Sequence, residues 1–218
     1  MANLLFCYIY YDIILYTILG LFMKEYIKDQ IKKSFETKQT IYEDEALLKK
    51  IEEVAKACVT LYKGDKKTIL AGNGGSAADA QHIAAELVGR YGFDRPSIPS
   101  LALTTDTSNL TAIGNDYGYD YVFSRQLEGM GQEGDIFIGI STSGNSVNII
   151  KAFESAKKKN IITIALTGRD GGVMAEIADI ALVVPSHSTP RIQESHILIG
   201  HILCDIIEKE IFADGVSI

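Results

Sequence analysis

The chain has 218 residues, 47% of them hydrophobic, and a formal net charge of -7. That length builds one α/β domain with a full core and some helical decoration, without requiring a second domain. The acidic balance, with no cluster of Lys and Arg interleaved with aromatics, excludes a polyanion-binding surface and so excludes nucleic acid as a partner.

The first segment, "LLFCYIYYDIILYTILGLF", is almost wholly apolar, interrupted by Asp12, Thr17 and Gly20. It is long enough to span a bilayer. No basic region precedes it and no small-residue cleavage site follows, so it reads poorly as a signal peptide. Met23 then opens "MKEYIKDQIKKSFETKQTI", an ordinary protein beginning. Residues 1–22 therefore read as an upstream extension and 23–218 as the single working domain, with no stable membrane association expected. A helix packed in an oligomer and a membrane anchor are the alternatives for 1–22.

From Lys24 to Lys38 the apolar residues Ile27, Ile31 and Phe35 recur every four positions. From Glu43 to Tyr62 the set Leu47, Ile51, Val54, Cys58 and Leu61 keeps the helical period, so two amphipathic helices precede the first strand. After them come a strand at 68–72, a helix from about Ala77 to Gly89, a strand at 100–104 and a helical stretch around Leu110 to Leu127. A strand at 135–140, a helix from Ser146 to about Lys159 and a strand at 161–168 follow. A short helix near Val173 to Ala178, a strand at 180–186 and a helix from Pro190 to about Phe212 complete the series. Short continuous apolar runs alternating with helices mean a five-stranded parallel sheet, doubly wound, with helices on both faces and extra N-terminal helices. Cys7, Cys58 and Cys204 lie far apart without metal-ribbon spacing, which fits a reducing cytoplasm.

In such a sheet, ligands bind where strands turn into helices and backbone N–H groups are exposed. The turn "STSGNS" carries four hydroxyls, from Ser141, Thr142, Ser143 and Ser146, with Gly144 and Asn145 to bend it and a helix N-terminus behind it. Together these make a cradle for a phosphate dianion; a helix cap would use only one hydroxyl. The turn "GNGGS" after the first strand is neither a dinucleotide fingerprint nor a Walker loop. Its glycines, Gly74 and Gly75, let a substrate approach the backbone, while Asn73 and Ser76 offer hydrogen bonds.

The helix leaving that turn carries His82 and Glu86 at i and i+4, about 6 Å apart on one face, a pair suited to metal binding or proton transfer. Near the C-terminus Gln193 and His201 lie within about 80° of one helical face but about 12 Å apart along the axis. To share one ion they must lean together or serve sites of different subunits. His196 points well away from His201 and reads as a packing or interface residue, and His187 as solvated. Thr189 and Pro190 supply an N-cap and a first-turn residue for the final helix.

With these residues assembled, the chain resembles the sugar isomerase (SIS) family and, within it, the phosphoheptose isomerases. The blocks "AGNGGSAADAQHIAAELVGRY", "TAIGNDYGYD", "ISTSGNS", "ALTGRDGG" and "RIQESHILIGHILCD" carry the resemblance from about Met23 to Phe212. It implies a flavodoxin-like sheet, a homotetramer with sites at subunit interfaces, and conversion of sedoheptulose 7-phosphate to D-glycero-D-manno-heptose 7-phosphate for lipopolysaccharide core or capsule. It further implies zinc held by His82, Glu86, Gln193 and His201. Sugar-phosphate contacts are implied from Asn73, Gly74, Gly75, Ser76, Glu86, Asn115, Asp116, Ser141, Thr142, Ser143, Ser146 and Gln193.

Ketose–aldose interconversion needs a base beside a carbonyl, an acid for the oxygens and stabilisation of the enediolate. Glu86 is assigned to the proton and His201 to the oxygens, with the reverse pairing as the alternative. A rival of another class is a non-catalytic SIS protein that binds the bacterial replication initiator. The resemblance implies that such proteins lack the carboxylate and histidine that stand here as Glu86 and His201. An isomerase or lyase of amino-sugar phosphates would need catalytic segments for which so compact a chain has no room. The segment "HSTP" before "RIQE" lacks the acidic residue that some members carry, so no role for such an acid passes to Thr189 or Pro190.

Overall fold

The computed structural model describes residues 2–212. Helix α1 runs over Ala2–Glu43, and α2 over Glu45–Tyr62. Asp44 separates them, its carboxylate accepting from the Ala46 and Leu47 N–H groups at 3.1 and 3.0 Å, so the capping residue sets the boundary. The first expected helix is thus longer than its apolar period indicates and runs through Gly20, whose cost of roughly 1 kcal/mol in a helix is too small to end one. The side chains before Gly20 and that of Leu21 lie outside the described residues, and the reading of 1–22 as an extension falls largely on them. Among the described residues, no helix is long and apolar enough to cross a membrane.

Five strands follow: β1 (Thr68–Gly72), β2 (Ser100–Ala102), β3 (Ile136–Ile140), β4 (Ile162–Gly168) and β5 (Ile180–Val184). All pair in parallel, in the order β2-β1-β3-β4-β5. Between them run α3 (Gly75–Val88), α4 (Thr107–Asp116), a 3-10 turn at Tyr119–Tyr121 and α5 (Ser124–Met130). Helices α6 (Val147–Lys158), α7 (Gly172–Ile177) and α8 (Thr189–Phe212) complete the series. The helical stretch expected around Leu110 to Leu127 is therefore three short pieces, broken at Gly118, whose φ of 94° is left-handed. The other elements lie within a few residues of expectation.

The two-residue alternation of a strand sorts the core. Leu70, Ile138, Leu166 and Leu182 point to one face, where they meet Ile51, Val54 and Cys58 of α2, Ile83 and Leu87 of α3, and Ile199 and Leu203 of α8. Ile69, Ala71, Phe137 and Ala165 point to the other, against Phe123, Ile149, Phe153 and Met174. Both faces are covered, as a doubly wound sheet requires. The amphipathic stripe of α1 is different: Ile27, Ile31 and Phe35 are 51%, 60% and 55% exposed in the single chain.

The register places Gly72, the end of β1, opposite Ile140, the end of β3. The turns "GNGGS" and "STSGNS" thus leave the sheet side by side. In this strand order the β1/β3 boundary is where connections diverge to opposite faces and leave a crevice.

Candidate active site

Helices α3 and α8 run parallel and in constant register. Gly75 meets Gln193, Ile83 meets Cys204, and the backbone N–H of Tyr91 donates to Glu208 at 2.8 Å. In that register His201 comes to His82: their Nε2 atoms are 2.9 Å apart, and His82 Nε2 is 3.2 Å from Glu86 Oε1. One ligand atom from each of the three residues falls within 4.8 Å of the others. His82 is exposed, Glu86 and His201 half-buried, so the cluster opens to solvent on one side.

The donor set fits a divalent cation. Bonds of about 2.05 Å in a tetrahedron have edges of about 3.3 Å, close to these spacings. Two facing imidazole nitrogens must either share one proton or turn both lone pairs to a common acceptor, which a cation supplies. Two imidazoles and a carboxylate suit zinc and other first-row divalent ions alike.

A buried ion pair braces this end of α3. Arg95 Nε is 2.9 Å from Glu208 Oε2, and both side chains are almost fully buried. Arg95 donates to the carbonyls of Glu86, Leu87 and Gly89, which the end of α3 leaves without helical partners. Glu208 accepts from the N–H groups of Tyr91, Gly92 and Phe93 as well as from Arg95. Burial alone would raise the Glu208 pKa; those donors outweigh it and hold the carboxyl below its usual range.

At the other end of α3, Gln193 lies hard against Gly75: a Cβ there would be 1.7 Å from its Nε2. Gln193 therefore stands at the mouth of the first turn, about two helical turns from His201 along α8. Beside it lies Asp79, whose pKa burial raises to about 6 against the opposing pull of His82 and Gln193. Asp79 Oδ2 is buried without a hydrogen-bond partner. Asp79 shares the α3 face of His82 and Glu86, at three and seven residues' spacing, a signal the sequence carried and the motif reading passed over.

The second turn is shaped by Gly144, with φ of 67° and no room for a Cβ, which would sit 1.9 Å from the Gly171 carbonyl oxygen. Asn145 Oδ1 accepts from the Val173 N–H at 3.0 Å, so the start of α7 supports the turn. Ser146 occupies the N-cap position of α6, yet its side chain makes no capping bond. Its hydroxyl lies 2.8 Å from that of Ser141, with Ser143 Oγ 3.4 Å from Ser141 Oγ. The hydroxyls are pooled with one another, an arrangement that suits an anion in place of the cap.

The structure thus gathers His82, Glu86 and His201 in one cluster, Gln193 with Gly75 in a second, and Ser141, Ser143 and Ser146 in a third. Asn73 pairs with Asn148 and receives a bond from the Tyr119 hydroxyl at 3.1 Å. Asn115 and Asp116 bond each other at 2.8 Å on the exposed end of α4, with no hydrogen bond to the other expected site residues. His196 is a core residue, fully buried, its Nε2 donating to the Thr167 carbonyl at 2.9 Å, and burial lowers its pKa to about 4. His187 is exposed. Asn148, Tyr119 and the Arg95–Glu208 pair were not singled out from sequence, since each acts through a contact distant along the chain.

Residues 31–168 match the family model of the SIS domain. The chain is 85% identical over 195 residues to a phosphoheptose isomerase of Sulfurimonas denitrificans, covering 89% of this chain and 100% of the relative. It is 62% identical over 190 residues to a phosphoheptose isomerase of Aneurinibacillus thermoaerophilus, covering 87% and 96%. Among solved structures, the phosphoheptose isomerase of Neisseria gonorrhoeae superposes with a TM-score of 0.81 at 45% identity, covering 86% of this chain and 99% of that one.

Proposed function

The chain belongs to the SIS-domain phosphoheptose isomerases, and from that premise we propose that it interconverts sedoheptulose 7-phosphate and D-glycero-D-manno-heptose 7-phosphate in bacterial heptose biosynthesis. The observation that carries the reading is the convergence of His82 and Glu86 of α3 with His201 of α8, where α3 is the helix that leaves one turn of the β1/β3 crevice. The pooled hydroxyls of Ser141, Ser143 and Ser146 hold the phosphate, joined by Thr142. The sugar extends along Asn73, Gly74, Gly75, Ser76 and Gln193 toward Glu86, with Asn115 and Asp116 as further contacts.

Glu86 takes the proton from C1 of the ketose and returns it to C2. His201 serves the two oxygens, as the C2 carbonyl becomes a hydroxyl and the C1 hydroxyl becomes a carbonyl. Atoms and electrons balance within the one molecule, so no external oxidant or reductant is needed. A divalent ion, for which we assign zinc, would be held by His82, Glu86 and His201 with Gln193 as a further ligand, and would polarise the carbonyl and steady negative charge on the enediolate oxygens. The partners in assembly are three further copies, forming a tetramer with sites completed at subunit boundaries; the uncovered stripe Ile27, Ile31 and Phe35 supports this. The buried free thiols of Cys58 and Cys204 support a cytoplasmic location.

The test incubates purified protein with sedoheptulose 7-phosphate, with and without a chelator, and follows aldose phosphate. Turnover that chelation removes and zinc restores is expected. No turnover with zinc present and the chain folded would overturn the reading.

A further inference from the structure

Asn148 has no part in the chemistry above, yet it is 4% exposed and directed at the first turn. Its Nδ2 donates to Asn73 Oδ1 at 2.9 Å, and Asn73 Nδ2 donates to Asn148 Oδ1 at 2.9 Å. The two carboxamides form a closed pair. The Tyr119 hydroxyl adds a third bond at 3.1 Å, so both lone pairs of Asn73 Oδ1 are engaged. Asn73 therefore has one side-chain N–H and its backbone N–H left for a ligand, its carbonyl already accepting from the Ser76 N–H at 3.0 Å. Most of its side chain is committed to being held.

Asn148 sits two residues after Ser146, in the first turn of the helix that the phosphate-type turn opens. Asn73 belongs to the turn after β1. The pair thus ties together two turns that the sheet brings only to adjacent strand ends, joining residues 75 positions apart. A substrate spanning both turns is presented correctly only if they keep a fixed register, since a displacement of about 1 Å can cost about a hundredfold in rate.

We propose that Asn148 is a positioning residue that locks the sugar-holding turn to the phosphate-holding turn through Asn73. This rests on the functional reading above, and the experiment separates the two. Turnover by the unmutated chain is measured first, and its absence would overturn that reading. The tie is then tested in Asn148→Asp, which keeps the shape of the side chain and removes its donor when ionised, and in Asn148→Ala. A thermal melt confirms that each is folded.

Both variants should lose about tenfold or more in kcat/KM, while inorganic phosphate, measured by calorimetry, binds within about twofold of the unmutated protein because the hydroxyls of the second turn remain. Combined with Asn73→Ala, Asn148→Ala should add nothing further. Amide hydrogen exchange over residues 72–77 should quicken in Asn148→Asp whether or not turnover is seen. Unchanged kcat/KM, additive losses in the double variant, or unchanged exchange would each overturn the positioning role.

Discussion

Glu86 presents its carboxylate to His82 because the two residues are one helical turn apart, and its backbone carbonyl is held by Arg95 at 2.9 Å. Replacing Glu86 by Gln keeps that frame and removes the carboxylate proposed to accept the proton. Turnover should fall by about a thousandfold while the melting temperature stays near that of the unmutated protein; an active variant would remove Glu86 from proton transfer. Gly75 is a residue of a different kind, with space on its surface already taken by Gln193. Gly75→Ala should fold, because the neighbour that must move is the end of a flexible side chain. Displacing Gln193 should nevertheless raise KM about tenfold, read in the isomerase assay, and weaken zinc binding, read by equilibrium dialysis. His82 and Glu86 were legible from sequence because helical spacing alone places them together. Asn148 was not, because nothing local distinguishes a carboxamide tied to a distant turn from one facing water.

Helix α8 shows how one element divides its labour. His196 and His201 are five residues apart, about 140° round the helix, so one faces β4 and the other faces α3. The buried His196 disfavours its charged form, with a pKa near 4 against 6.5 in an unfolded chain. Between those values the unfolded chain binds the proton more readily. The neutral histidine's contribution is therefore complete above pH 6.5 and is lost as pH falls toward 4, by up to about 3 kcal/mol. In His196→Gln, which keeps an N–H for the Thr167 carbonyl, the decline in unfolding free energy between pH 7 and 4 should be shallower by about that amount, measured by urea unfolding across the range. A parallel decline in both proteins would place the acid sensitivity elsewhere. The sequence assigned His196 to packing or an interface from the angle alone; that it packs in the core, and the carbonyl it meets there, are set by how α8 crosses the sheet.

For the molecule as a whole, 195 residues of this chain align with the full length of the Sulfurimonas relative, so a complete domain of this family fits within fewer residues than the chain has. A chain lacking residues 1–22 should remain soluble and keep its turnover, checked by isomerase assay and light scattering; loss of either would give that segment a structural role. The order of strands and helices, the parallel sheet and the glycine-rich and hydroxyl-rich turns between strand and helix were all legible in the sequence. Each follows from a short-range pattern: apolar runs, helical spacing, or hydroxyls and glycines packed into one turn. The tertiary structure alone decided which side chains meet. His201 reaches His82 from 119 residues away, and Asn73 meets Asn148 across 75. Those meetings depend on the parallel register of α3 with α8 and of β1 with β3, which is fixed by packing of the whole core and leaves no mark on any single stretch of chain.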